Sequence, residues 1–95
     1  MSLHVVAELR AESGQEDRLR TALESMIEPS LAEPGCISYQ PYVNPNDAAQ
    51  MVVVEEWTGA AALEEHFATP HFKHVAEVLE GILAEPLTIR RLVAE

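Results

Sequence analysis

Apolar positions alternate at the start of the chain and then switch to a spacing of three and four, and this change of period marks the first two elements. In Leu3 to Arg10, Leu3, Val5, Ala7 and Leu9 share one side of an extended strand, leaving His4, Val6, Glu8 and Arg10 on the other. Further on, Leu19, Ala22, Leu23, Met26, Ile27 and Leu31 form a helical stripe, with Arg18, Arg20 and Glu24 turned to water. Ser13-Gly14-Gln15-Glu16 has the spacing of a capping box at the helix start, and Pro34-Gly35 stops the run.

Two runs of β-formers follow, Cys36 to Val43 and Met51 to Trp57, separated by the turn residues Asn44-Pro45-Asn46-Asp47, and together they predict a hairpin. Pro41 has no N–H for a ladder, so its strand belongs at a sheet edge or carries a bulge there. Thr58 is the expected cap of a helix bearing Ala62, Leu63 and Phe67, and Thr69-Pro70 caps a restart. Phe72, Val75, Val78, Leu79, Ile82 and Leu83 continue the stripe to Gly81 and Pro86, and Leu87 to Val93 supplies a last strand. The order βαββαβ predicts a single α+β domain over 1–95, a ferredoxin-like antiparallel four-stranded sheet with its helices on one side.

A sheet covered on one side only would expose polar residues on the other. Here Val52 and Val54 stand opposite the Met51, Val53 and Trp57 face, and the other strands also carry apolar residues on both faces. The second face calls for a cover, and a two-fold copy of the same sheet is the commonest one, which predicts a homodimer.

Composition narrows the partners. Sixteen acidic against six basic residues give a net charge of −10, a field that repels phosphate backbones and anionic membranes. Nucleic acid and membrane surfaces are therefore not expected. One cysteine, Cys36, and an N-terminus without a secretory pattern predict a cytoplasmic protein.

The segment Glu55-Glu56-Trp57, Leu63, Glu65-His66 and Ala68-Thr69-Pro70-His71-Phe72 resembles the signature of the antibiotic biosynthesis monooxygenase family. The opening Val6-Ala7-Glu8-Leu9-Arg10 with Gly14, the middle Glu33-Pro34-Gly35-Cys36 with Tyr39, and the closing Ile89-Arg90-Arg91-Leu92 extend the likeness over nearly the whole chain. Cys36, Tyr39, Pro41 and Val43 bring it nearest the quinol monooxygenase branch. The resemblance implies a dimeric α+β barrel with a cavity between each sheet and its helices, and a monooxygenase that oxidises a small quinol or polyphenol with dioxygen and no cofactor. The haem-degrading branch carries an asparagine and a histidine where Ala7 and Ala76 stand here, which argues against haem.

Such a reaction needs an apolar pocket, a base for a phenolic proton, and donors for the oxyanion. His66 and His71 are the expected bases, since a histidine near its ordinary pKa of ~6.5 accepts a proton at cellular pH. Trp57 and Tyr39 are expected to bind the substrate ring, with Met51, Val53, Phe67 and Phe72 as walls; Arg90 and Arg91 point to opposite sides of the last strand, and whichever of them faces inward, Arg90 or Arg91, is the expected cation for an anionic substrate or the partner of Glu8 or Glu55. His71 and His74 have metal-ligand spacing, but no neighbouring carboxylate or cysteine completes a zinc pattern, so no metal is expected. The rivals are an isomerase or lyase of the same fold acting on a small carbonyl signalling molecule, and a non-catalytic small-molecule-binding module.

Overall fold

The computed structural model describes residues 2–93; the expected domain of 1–95 takes in Met1, Ala94 and Glu95, which lie outside them. The chain runs β1 (Leu3–Arg10), α1 (Glu16–Glu24), α2 (Ile27–Leu31), β2 (Cys36–Asn44), β3 (Asp47–Trp57), α3 (Ala60–Phe67), α4 (Pro70–Glu80) and β4 (Thr88–Val93). The strands form one antiparallel sheet in the order β2-β3-β1-β4, the ferredoxin-like α+β arrangement that the element order predicts. No helix among the described residues is long and apolar enough to cross a membrane.

The alternation in β1 sorts its side chains as expected: Leu3, Val5, Ala7 and Leu9 are buried against Leu19, Leu23, Met26, Leu63, Val75 and Leu79 from the helices. Each of these larger side chains contributes about 1.5–3 kcal/mol by leaving water, so this inner face holds most of the apolar free energy of the fold. β2 is an edge strand, and Pro41 sits there opposite Val53 without interrupting a ladder on its free side. Register shifts at Cys36/Ser38 and at Val43/Asn44 mark its two ends.

Three local expectations are corrected. Gly14 adopts φ +86°, turning the chain so that the helix starts at Glu16 with Gln15 as cap, and the Ser13 box does not form. Likewise α3 is capped by Gly59 and not by the side chain of Thr58, whose N–H instead bonds the carbonyl of Gly35 at 2.9 Å. The first helix is also not continuous. Pro29 in mid-helix would clash with the carbonyl of Ser25, so the chain breaks at Ser25-Met26 and restarts with Pro29 in the first turn of α2. Ser25 Oγ donates back to the carbonyl of Ala22 at 2.6 Å and helps to close the first segment. The break rotates the stripe, burying Ser30 and leaving Leu31 exposed.

Candidate functional site

The break at Thr69-Pro70, by contrast, forms as the sequence predicts and builds the centre of the site. Thr69 Oγ1 accepts the N–H of Phe72 at 3.2 Å and donates to the carbonyl of His66 at 2.7 Å. One hydroxyl thus ties the last turn of α3 to the first turn of α4, and His66 and His71 are brought to the same place from two helices. His66, 2% exposed, is on the buried side of α3, one turn beyond Leu63. Its ring centroid lies 4.5 Å from that of Trp57, 5.2 Å from Phe72 and 5.9 Å from Tyr39.

Between the two histidines lies Glu33, from the loop joining α2 to β2. Its Oε2 is 2.7 Å from His66 Nδ1 and 2.8 Å from His71 Nε2. A carboxylate only accepts, so both ring nitrogens carry the proton and donate, which leaves Nε2 of His66 as its basic nitrogen. The loop is held by close packing: a side-chain carbon at Gly35 would collide with Cβ of Ala62 on α3. Glycine at that position therefore lets the Glu33 loop lie directly on the helix that carries His66.

A second carboxylate enters from the sheet. Glu55 is 6% exposed, and its Oε1 accepts the indole N–H of Trp57 at 2.9 Å. Burial pushes its carboxyl up to about 7; the Trp57 N–H pulls the other way, and the nearby charge of Glu33 adds to the rise. Burial also moves His66 below the ordinary histidine value, against the opposing pull of Glu33. An acid that holds its proton and an imidazole that stays neutral thus share one chamber, the pattern by which a site assigns acid and base roles. Tyr39 is raised by burial and by Glu55, so its phenol stays protonated. Cys36 is pushed up to about 11 by burial and by Glu33 and Glu55, and it remains a thiol with no nucleophilic character at neutral pH.

A cavity of about 40 Å³ lies between sheet and helices, with Tyr39, Val53, Glu55, His66, Phe67 and Phe72 in its wall. Five of these were expected from the sequence; Glu55 was not. Trp57 touches the chamber through Glu55 and the ring of His66, and His71 through Glu33. Met51 is buried on the same sheet face but lines a separate shallow groove with Arg20, Ile27, Pro41 and Val43. Tyr39 is buried, whereas Ile37, at the register shift that starts β2, is half exposed.

Arg90 is a further correction. It stands opposite Val6, on the sheet face away from the helices, and pairs with Glu8 at 3.5 Å. Alternation along β4 puts Arg91 on the helix side instead, where it reaches Glu64 of α3 at 3.0 Å near solvent.

Glu55 was legible in principle: the alternation Met51, Val53, Glu55, Trp57 sets one carboxylate in an apolar strand face. Glu33 stands in a segment that carries the family likeness, but no periodicity pointed to its role, 33 residues before His66 and 38 before His71.

Comparison with known proteins agrees with this architecture. The sequence profile of the antibiotic biosynthesis monooxygenase family matches residues 2–78. An uncharacterized protein of Synechocystis, sll1783, is 33% identical over 86 residues, covering 90% of this chain; the chain spans only 58% of that relative's length. Escherichia coli YgiN, whose name gives it as a probable quinol monooxygenase, is 31% identical over 93 residues, covering 87% of this chain and 89% of its own. The crystal structure of PA3566 from Pseudomonas aeruginosa superposes with a TM-score of 0.93 at 30% identity, covering 99% of this chain and 94% of that one.

Proposed function

Because this chain belongs to the antibiotic biosynthesis monooxygenase family, we propose that it oxidises a small quinol or polyphenol with dioxygen, without metal, flavin or haem, in the chamber beside His66. The observation that carries this reading is the setting of His66: a buried neutral imidazole, oriented through Nδ1 by Glu33, in a chamber walled by aromatic rings.

His66 Nε2 accepts the phenolic proton, and the phenolate that results is electron-rich enough to reduce dioxygen. Glu55, raised to about 7 and so carrying its proton in a large share of molecules at neutral pH, returns a proton to the reduced oxygen, and the Trp57 indole N–H steadies the carboxyl that does so. Hydroquinone and dioxygen then give hydroxyquinone and water. The substrate supplies all four electrons: two with the hydrogens lost as water, and two at the carbon that gains oxygen.

The chamber's 40 Å³ is well below the roughly 150 Å³ that accommodates a benzene ring. A substrate ring therefore enters by displacing the half-buried Phe67 and Phe72, which face each other across the α3–α4 junction with centroids 5.0 Å apart.

We assign to the outer face of the sheet a second copy of the chain. Val54, Tyr42 and Leu92 are 41%, 55% and 51% exposed there, an apolar surface of the kind a two-fold partner covers. A mass by light scattering of one chain at micromolar concentration would refute the dimer. A reducing cytoplasm suits the half-buried free thiol of Cys36.

The reaction is tested in an oxygen electrode with hydroquinones, naphthoquinols and anthrones, chelator present throughout. Chelator-resistant oxygen uptake is the expected result. Absence of uptake, with exchange of carbon-bound protons in a small carbonyl compound, would replace the reading with the isomerase.

A further inference from the structure

The chemistry proposed above uses Glu33 only to orient His66, yet the arrangement around Glu33 has a second capability. We propose that Glu33 Oε2, His66 Nδ1 and His71 Nε2 form a binding site for one divalent first-row transition ion of the zinc kind. The three ligand atoms lie within 4.8 Å of one another. Two imidazoles and one carboxylate are the ligand set of open zinc and non-haem metal sites, in which the remaining positions go to water or substrate.

The geometry needs an adjustment of at most about 1.4 Å, between the two ring nitrogens, which lie within 4.8 Å of each other. Ligands about 2.1 Å from an ion stand roughly 3.0–3.4 Å apart. The two oxygen–nitrogen distances, 2.7 and 2.8 Å, therefore open by about half an ångström while the two ring nitrogens converge. For each imidazole ligation is a change of tautomer, the proton moving to the other ring nitrogen and freeing the lone pair. His66 is already fixed between Trp57 and Phe72, and Glu33 is fixed by the contact of Gly35 with Ala62, so two of the three ligands are preorganised. His71 and Glu33 are partly exposed and give an ion access from water. Among the described residues Glu33 has no lysine or arginine partner to compete with an ion, and the net charge of −10 concentrates cations around the chain.

Occupancy has a consequence that rests on the function proposed above. An ion on Nδ1 forces the proton of His66 onto Nε2, so the base becomes a donor and turnover stops. Binding itself is read without turnover, so the two readings fail separately.

The test is calorimetric titration of chelator-stripped, untagged protein with zinc chloride, checked by the visible absorption of cobalt(II). One ion per chain is expected, with His71→Ala and Glu33→Gln each weakening binding at least tenfold and His74→Ala leaving it unchanged. His71 is partly exposed, and a cooperative thermal melt verifies that its alanine variant is folded. No saturable binding up to millimolar zinc, or a less than tenfold effect of both His71→Ala and Glu33→Gln, would overturn the site. If zinc binds as expected but leaves oxygen uptake intact, the site stands and the role of His66 as base falls.

Discussion

The two faces of the sheet use polar and apolar residues in opposite ways. The inner face, packed against four helices, encloses Glu55, Trp57 and His66, and Glu33 reaches them from a loop. The outer face displays Val54, Tyr42 and Leu92 between the contact of His4 with Glu56 and the ion pair of Arg90 with Glu8. Charge thus stands where a core alone would exclude it, and apolar surface where water alone would reject it. A buried carboxyl that remains costs stability unless its environment compensates, and Glu55 is compensated by one indole N–H and by holding its proton. An exposed ion pair such as that of Arg90 contributes little, typically 0–1 kcal/mol. The place of these two contacts around an apolar centre fits the rim of an interface better than a source of stability.

The contrast breaks most readily at the outer face. Val54→Asp would place a charge in the centre of the proposed sheet-to-sheet contact, where an unpaired buried ion costs several kcal/mol. Light scattering should show the mass halved, with the isolated fold intact because Val54 makes no part of the buried core. An unchanged dimer would move the interface elsewhere on the molecule.

The inner face predicts an effect of opposite sign. The folded-state pKa of Glu55 lies above its ordinary value, so the native state retains a proton that the unfolded chain releases, and its contribution falls as pH rises from 4.5 to about 7. At about 1.4 kcal/mol per pH unit this amounts to about 3 kcal/mol. Glu55→Gln, which keeps an acceptor for Trp57, should stabilise the protein by up to about that amount at pH 8 and by little at pH 4. His66 works the other way: its pKa is lowered on folding, so its contribution is present above the unfolded value of ~6.5 and is lost as pH falls below it. Denaturant melts across this range should therefore show wild-type stability falling between pH 4.5 and about 7 through Glu55, and that fall absent from Glu55→Gln. A Glu55→Gln variant less stable at pH 8 would mean that the carboxylate has partners beyond Trp57.

The smallest effect belongs to Arg90. Because among the described residues its partner is Glu8 at the surface, Arg90→Ala should change stability by within about 0.5 kcal/mol and leave KM for an anionic substrate unaltered. A large rise in KM would return Arg90 to the site from which its register excludes it.

These contrasts also explain which features the sequence reveals. Period-two alternation in Leu3 to Leu9 and the Thr69-Pro70 cap are local signals governed by backbone geometry, and both appear in the fold as they read. Pro29 was an equally local signal, and its steric demand breaks a stripe that hydrophobicity alone extends to Leu31. His66, Phe67, Phe72, Tyr39 and Val53 were legible as cavity residues because each sits in a strongly patterned element. Glu33 was not, since its role comes from a loop laid over α3 through Gly35, a contact of long sequence separation that no periodicity encodes. Arg90 and Arg91 differ by one residue, and only the pairing of Val6 with Arg90 decides which side each takes.

The central claim, that His66 is the base of an oxygen-consuming reaction, is tested most directly by comparing wild-type and His66→Ala protein in the oxygen electrode. Both are given the same quinol, in the presence of chelator, with cooperative melts recorded to establish folding. Loss of a positioned base removes about 10²–10⁴-fold in rate, so uptake by the folded variant should fall at least a hundredfold. A folded His66→Ala variant that consumes oxygen within threefold of the wild-type rate would contradict the account.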